Sequence, residues 1–506
     1  MTKLRHLLAI SLLAGAACFF LSTGTTSAAT IDVVAGTNVL ANDSECHLTE
    51  AIANINNAAN TYVDCIATGD AYGTNDTINL PTGTITLTAD LPPITRSVTV
   101  TGQGMGETIV NGDGQWQAFS NNPSNPATLS VQQLTVTAYR NFALFSVQGS
   151  VVLGQFEVDG TGVVFDPGPS SAGGGIAIAN NSATPISVNV SDVYIHDLAG
   201  TVDNFFVMAI LASDNEDTTA TVDRVTISNV SNTGTLSGIM IGTGVLGSGA
   251  GPGQATGTLR NITISGLSSQ ASAALGVVST TVAEVSHTTQ LTLQNATITG
   301  VTGATGMFGQ SSAVAAVAGN PTDGPVNESY LIMQNVLLAD SDTACSVVDL
   351  TPIIGGVGAA TVDITSTGGN LSDDNTCSSY FTHPTDQNNV AALAASLSPL
   401  ADNGGYVPTM ALLETSPAVD AGVTVSGLTT DARGQARPQG NAYDSGAYES
   451  PFTRTTTPAP PTDDGEGLAE SGAMIAGILA IAVVMVGGAV VTFKKPRKQS
   501  AKSRKK

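Results

Sequence analysis

The chain has 506 residues, with 40 Asp and Glu against 17 Lys and Arg, and 55 glycines. Its basic residues sit almost wholly at the two ends: residues 30–493 hold seven arginines and no lysine against all 40 acids, a net charge of −33. Such a body repels a phosphate backbone, which excludes nucleic acid as a partner. It would tolerate divalent cations, but acidity alone points to no metal site.

Residues 1–29 read as a secretory signal: Lys3, Arg5 and His6, an apolar run from Leu7 to Leu21, then the small residues Ser27-Ala28-Ala29. Its removal takes Cys18 away and leaves four cysteines: Cys46, Cys65, Cys345 and Cys377. An even number in an exported chain suggests disulfides, and the local pairing, Cys46–Cys65 with Cys345–Cys377, closes short loops. A zinc site would need Cys and His at ligand spacing, which His47 directly beside Cys46 does not supply.

Residues 44–59 carry Leu48, Ile52 and Ile55 at helical spacing, so a short amphipathic helix is expected there, covering the open end of the first coil that follows. Within it, Cys46-His47-Leu48-Thr49-Glu50-Ala51-Ile52 resembles the motif that names the CSLREAI domain of bacterial surface proteins, with His47 and Thr49 where that motif has Ser and Arg. Asp64-Cys65 and the stretch from Asp76 to Leu87 fit the entry into the β-helices of such proteins. Gly102-Gln103-Gly104-Met105-Gly106 then follows the strand-like Val98-Thr99-Val100. A dinucleotide-binding loop would open a helix on its last glycine, whereas Glu107-Thr108-Ile109-Val110 starts another strand, so a turn between coils is expected.

From Leu129 to Leu338 one phrase recurs, apolar-x-apolar-x-polar-apolar-x-apolar. Its copies begin at Leu129, Val151, Val188, Ala220, Gly257, Leu291 and Leu331, spaced 22 to 40 residues apart; the Gly257 copy has lost its first apolar side chain. Repeats of this period belong to stacked architectures, in which one unit cannot bury its apolar face alone. Alternation and the abundance of Val, Ile and Thr favour strands over helices. At the fifth position (Gln133, Gln155, Asp192, Arg224, Asn261, Asn295, Asn335) the alternation slips by one residue, which suits a corner. Asp197, Asn229, Gly266, Gly300 and Asp340, two positions beyond their phrases, are types that tolerate a left-handed turn.

The expected fold is therefore all-β. A right-handed parallel β-helix occupies residues 98–397, preceded by the helical cap and first coil at 30–97, and each repeat is one coil with equivalent positions ~4.8 Å apart. That register stacks Asp192 beside Arg224 and Asp223 beside Arg260, and continues through Asn261, Asn295 and Asn335 as an amide ladder.

Ser398-Pro399-Leu400-Ala401-Asp402-Asn403-Gly404-Gly405 opens a segment that continues through Ser416-Pro417-Ala418-Val419-Asp420-Ala421-Gly422 and Asp431-Ala432-Arg433-Gly434. It proceeds to Arg437-Pro438 and closes with Asp444-Ser445-Gly446-Ala447-Tyr448-Glu449. The whole resembles the choice-of-anchor Q domain, a C-terminal module of β-helical surface proteins. The resemblance implies a C-terminal cap over residues 398–449 and surface attachment, and neither resemblance implies catalysis. Asp420, Asp431, Arg433 and Arg437, set among Gly and Pro, suit loops locked by buried ion pairs better than an active site.

Residues 450–472 read as a linker, and residues 473–493 as an uncharged apolar run long enough for one transmembrane helix. The basic tail at 494–506 places the C-terminus in the cytoplasm and the acidic body outside. Leu468-Ala469-Glu470-Ser471-Gly472 resembles a sortase cell-wall sorting signal of the Leu-Pro-x-Thr-Gly type, with Ala469 for Pro and Ser471 for Thr. Cleavage there would attach the body to the wall; the alternative is a plain membrane anchor.

The functional expectation is a surface display or adhesion protein that binds an extracellular protein or glycan without catalysis. The alternative is a polysaccharide-cleaving lyase or glycoside hydrolase, because pectin-lyase-like β-helices often cleave acidic polysaccharides. Such enzymes need carboxylates for Ca²⁺ or acid–base work, or an Arg or Lys base, and commonly aromatic sugar platforms. Here there is a single Trp, Trp116, and few basic residues. Asp159, Asp192, His196, Asp197, Asp223, Arg224 and Arg260 form the one charged group that adjacent coils bring together, and His196-Asp197 reads as the start of a corner. No catalytic residue, cofactor or metal ligand is assigned.

Overall fold

The computed structural model describes residues 28–454 apart from short segments at 70–71, 74, 122–126, 167–170, 183, 213–215, 244–252, 281–285, 304–310, 321–325 and 353–359. Most of the signal sequence, the sorting motif Leu468–Gly472, the apolar run at 473–493 and the basic tail lie outside the described residues. Among the described residues no helix is long and apolar enough to cross a membrane.

Each phrase lies on a strand that pairs in parallel with the next phrase. Thr128–Thr137 lies beside Ser150–Asp159, then come Ile186–His196, Thr218–Asn232, Gln254–Ser269 and Thr288–Gly303. The stack ends with Glu328–Gln334 and Leu337–Ala339 against Thr361–Ser366 and Leu371–Ser372. The chain returns through a second parallel sheet of eight strands, among them Ala172–Asn180, Asn204–Ala212 and Thr235–Thr243. One bent strand plus one return strand makes a coil, giving stacked parallel coils around a continuous apolar interior.

The slip at the fifth position has a backbone cause. Gln133, Gln155, Asp192, Arg224, Asn261, Asn295 and Asn335 all adopt left-handed φ, from +50° to +57°. The ladder steps over them: Ser191 pairs with Asp223 and Val193 with Val225, while the residues between are left out. Val190 and Val193 thus both point inward, which three residues of plain strand would forbid. The second turn behaves alike, with φ of +57°, +52°, +73°, +67° and +49° at Asp197, Asn229, Gly266, Gly300 and Asp340. At Gly257 the missing side chain is replaced by its neighbours, since a Cβ there would sit 2.9 Å from Leu291 Cδ1 and 3.3 Å from Ile241 Cγ1.

The interior columns, such as Leu134, Phe156, Val193, Val225 and Ile262, are fully buried, each side chain stabilising the stack by about 1.5–3 kcal/mol. The second sheet is apolar on its outer face too: Ala179, Ala209, Leu211 and Met240 form a separate buried cluster. Sheets covered on both faces read as apolar runs rather than alternation, so this sheet gave no periodic signal.

The helix spans Leu48–Asn57 and buries Leu48, Ala51, Ile52 and Ile55 in the same core as Ile31 and Ile78. Glu50 Oε2 accepts the His47 N–H at 3.1 Å and its Oε1 the Ala41 N–H at 2.9 Å, closing the helix start onto the preceding loop. Ala58, at φ +49°, ends it. Disulfides join Cys46 to Cys65 and Cys345 to Cys377, the local pairing.

The C-terminal segment departs from expectation. Rather than sealing the end of the stack, residues 398–454 run back along its flank. Pro408 O accepts the Thr226 hydroxyl at 2.7 Å, Ala447 N–H donates to Thr297 Oγ1 at 2.9 Å, and Gly446 N–H donates to Asn335 O at 2.8 Å. The reason is the seventh position of the phrase, where Thr226, Thr263, Thr297 and Leu337 form a narrow strip, all but inaccessible beneath the segment. Gly446 permits the closest approach: at φ +99°, a Cβ there would lie 2.6 Å from Thr297 Oγ1. The segment is locked as the charge pattern suggested. Arg437 meets Glu449 at 2.7 Å and Arg433 meets Asp431 at 2.6 Å, with Arg433 also lying 3.6 Å above the Tyr448 ring. Burial pulls Arg437 down and pushes Glu449 up, the usual response of desolvated charges. Asp420 and Asp444 spend their oxygens on backbone N–H groups of Ala442, Arg454, Asp420 and Ser450.

Candidate functional site

The seventh-position strip continues past the edge of the C-terminal segment. Thr226 lies under Pro408, but its register neighbours on earlier coils, Tyr194 and then Glu157, emerge beside it. Two positions on, Asp159, His196 and Ser228 form a parallel column. Between this strip and the loop at residues 402–408 lies an open groove of about 280 Å³, lined by Met105, Glu157 and Tyr194 on the coil side and Asp402, Tyr406 and Pro408 on the other. Gly404 and Gly405, at φ +92° and +88°, shape the loop, and Asp402 Oδ1 accepts the Gly404 N–H at 2.9 Å.

The coil side is an ordered polar network. His196 Nε2 lies 3.2 Å from Glu157 Oε1 and Nδ1 lies 2.8 Å from Asp197 Oδ2. Thr135 holds the other Glu157 oxygen, and Asn229 the other Asp197 oxygen. The Tyr194 ring stacks on the imidazole at 4.2 Å, and its hydroxyl meets Ser228 Oγ at 3.1 Å. Burial works against the charged imidazole, but the bonds to Glu157 and Asp197 outweigh it and raise its pKa. Burial likewise opposes the Glu157 carboxylate, and the bonds from His196 and Thr135 outweigh it and lower its pKa. Asp197 is lowered by His196 and Asn229. Glu157, His196 and Asp197 therefore form a carboxylate–imidazole–carboxylate chain across two coils.

Asp159, His196 and Asp197 each present a donor atom, all within 4.8 Å of one another, close enough for a cation to bridge. In this structure His196 Nδ1 is bonded to Asp197 instead, at 2.8 Å.

The charged group expected from the sequence separates into two. Asp159, His196 and Asp197 belong to the network just described; Asp192, Asp223, Arg224 and Arg260 lie at the fifth-position corner. Arg224 grips Asp192 with two bonds, Nε to Oδ1 at 2.6 Å and Nη2 to Oδ2 at 2.8 Å, and also binds Asp223. Asp223 and Arg260 are register partners, yet they form no pair: Arg260 Nε donates to Gln294 Oε1 at 2.9 Å. Asp223 is already satisfied by Arg224 and by Asn261 Nδ2 at 2.9 Å. The amide ladder holds between Asn295 and Asn335 at 3.4 Å, while Asn261 turns to Asp223 and Thr430. Glu157 and Tyr194 were missed, although the register places them side by side at position seven. Asp402 and Tyr406 carried no local signal, because only the fold-back brings them to this face.

No protein-family model matches the chain, and no curated protein matches it.

Proposed function

We propose that the chain is an exported, surface-anchored protein whose right-handed parallel β-helix displays the flank groove to an extracellular glycan and binds it without cleaving it. The resemblances to the CSLREAI and choice-of-anchor Q modules support surface display, and the apolar run with its basic tail supplies the anchor, with or without cleavage at the sorting motif. Binding rather than turnover is carried by one observation: both ring nitrogens of His196 are engaged by carboxylates. With both nitrogens bonded to carboxylates, the ring is occupied within the network and neither nitrogen is left for a water or a ligand. Its partner Glu157 is occupied in the same way, one oxygen by His196 and the other by Thr135, whereas an acid or base would have to face the scissile bond. Tyr194 and the 54 % exposed Tyr406 supply flat surface for sugar rings.

A glycan array probed with the full-length chain, run beside a reducing-sugar release assay on every glycan retained, tests this. Retention without release over time is expected. Accumulating reducing ends, or unsaturated ends diagnostic of a lyase, would establish the enzyme instead.

A further inference from the structure

We propose that the groove selects a cationic amino sugar, a glycan whose units carry a free, protonated amine. This rests on the reading of the groove as a glycan site and names the class of glycan. Two carboxylates reach the groove from its two sides, Glu157 from the coils and Asp402 from the loop, and none of its lining residues is Lys or Arg. On the coil side the His196 ring is committed to Glu157 and Asp197. Tyr194 is held flat by its stack on His196 at 4.2 Å, and Tyr406 faces solvent across from it. One ring can thus lie against a tyrosine while its ammonium meets a carboxylate, pairing stacking with a charge-assisted hydrogen bond.

The rest of the molecule favours the same ligand. Residues 30–493 carry a net charge of −33, and the field of such a body concentrates a polycation and repels a polyuronate before contact. A volume of about 280 Å³ is at the lower end of small-ligand sites, roughly 300–1,000 Å³. That suits a saccharide unit or two, with the chain running out of the open ends.

The test is calorimetric titration of the full-length chain, in mildly acidic buffer, with three tetrasaccharides: β-1,4-linked glucosamine, its fully N-acetylated counterpart, and galacturonic acid. The glucosamine tetramer should bind at least about tenfold more tightly than the acetylated one, the uronate should not bind, and the preference should shrink in high salt. Asp402→Asn should abolish most of the preference by weakening the glucosamine tetramer far more than the acetylated one, and Tyr406→Ala should weaken both amino sugars alike. Both positions are solvent-exposed, and matching thermal melts check that the variants fold. Equal or tighter binding of the acetylated tetramer, or an unchanged preference in Asp402→Asn, overturns the proposal while leaving a glycan site in place. Failure of all three tetramers to bind removes both readings.

Discussion

A fifth-position residue must satisfy two demands at once: a left-handed backbone and a hydrogen-bonding side chain at a buried corner. Asn meets both, and Asn335 shows how. Its Oδ1 accepts the Val423 N–H and its Nδ2 donates to Val423 O, both at 2.7 Å. Asn335→Ala should therefore cost about 2–4 kcal/mol in chemical denaturation, from the strained left-handed residue and the unpaired Val423 groups. Asn335→Gly, which keeps the conformation, should recover about 1 kcal/mol of that; equal losses would mean the backbone term is absent. His196 makes a pH prediction. Its folded pKa is above 6.5, so the stability it contributes is complete below that value and is lost as pH rises through the folded pKa. Glu157 and Asp197, lowered from 4.5 and 3.8, contribute above those values and lose their share as pH falls through their folded pKa values. The network thus helps most between 4.5 and 6.5. His196→Gln should flatten the fall in denaturation midpoint as pH rises above 6.5, and an unchanged slope would show that another group governs it.

At the scale of the element, a coil corner and a loop module are held by different electrostatics. The Arg224 clamp is part-exposed, 25 % at the arginine and 10 % at Asp192, so solvent screening keeps its value modest. Arg224→Asn should lose about 1–2 kcal/mol, chiefly because Asp192 and Asp223 are left facing each other. Changing all three to Asn should restore most of that stability, since side-chain amides already occupy this corner on the following coils, Asn261, Asn295 and Asn335 at position five and Gln294 and Gln334 at position four. A triple variant no better than the single one would mean the arginine acts through packing. The Arg437–Glu449 pair is different, with both side chains fully inaccessible. Glu449→Gln strands a buried guanidinium and should cost about 3–5 kcal/mol in urea unfolding. A loss under about 1 kcal/mol would show that water reaches the pair and screens it as at a surface.

For the whole molecule, the flank segment changes what the solenoid is. A bare stack contacts only its neighbours along one axis and can open coil by coil. Here one segment bonds to successive coils at Thr226, Asn261, Thr297 and Asn335. It should therefore couple those coils into one unit, and hydrogen exchange should protect them with a common free energy. Glu449→Gln should lower that protection across all of them together; loss confined to residues 398–454 would show the segment to be a passenger. Cysteine mapping without reduction should return Cys46–Cys65 and Cys345–Cys377. Mass spectrometry of the cell-derived protein separates the two anchors, a C-terminus at Ser471 marking sortase cleavage and a retained basic tail marking the membrane.

The coil was legible in the sequence because its determinants are local and repeated. A strand shows its buried face every second residue, and the slip at Gln133, Asp192 or Asn295 is the trace of a left-handed residue written into the pattern itself. The helix at Leu48–Asn57 and the locked charges of the C-terminal segment were legible for the same reason, each within a turn or a loop. What the sequence could not carry was where that segment goes. Pro408 meets Thr226 across 182 positions, and contacts of that span are set by which surface strip offers the right width and hydrogen bonds. The pairing at the corner was also decided in three dimensions. Asp223 had two cations in its neighbourhood, and it pairs with its sequence neighbour Arg224 while its stacking neighbour Arg260 turns to Gln294. The groove exists only because the fold-back stops at Thr226, leaving Tyr194 and Glu157 uncovered beside a loop that no local pattern connects to them.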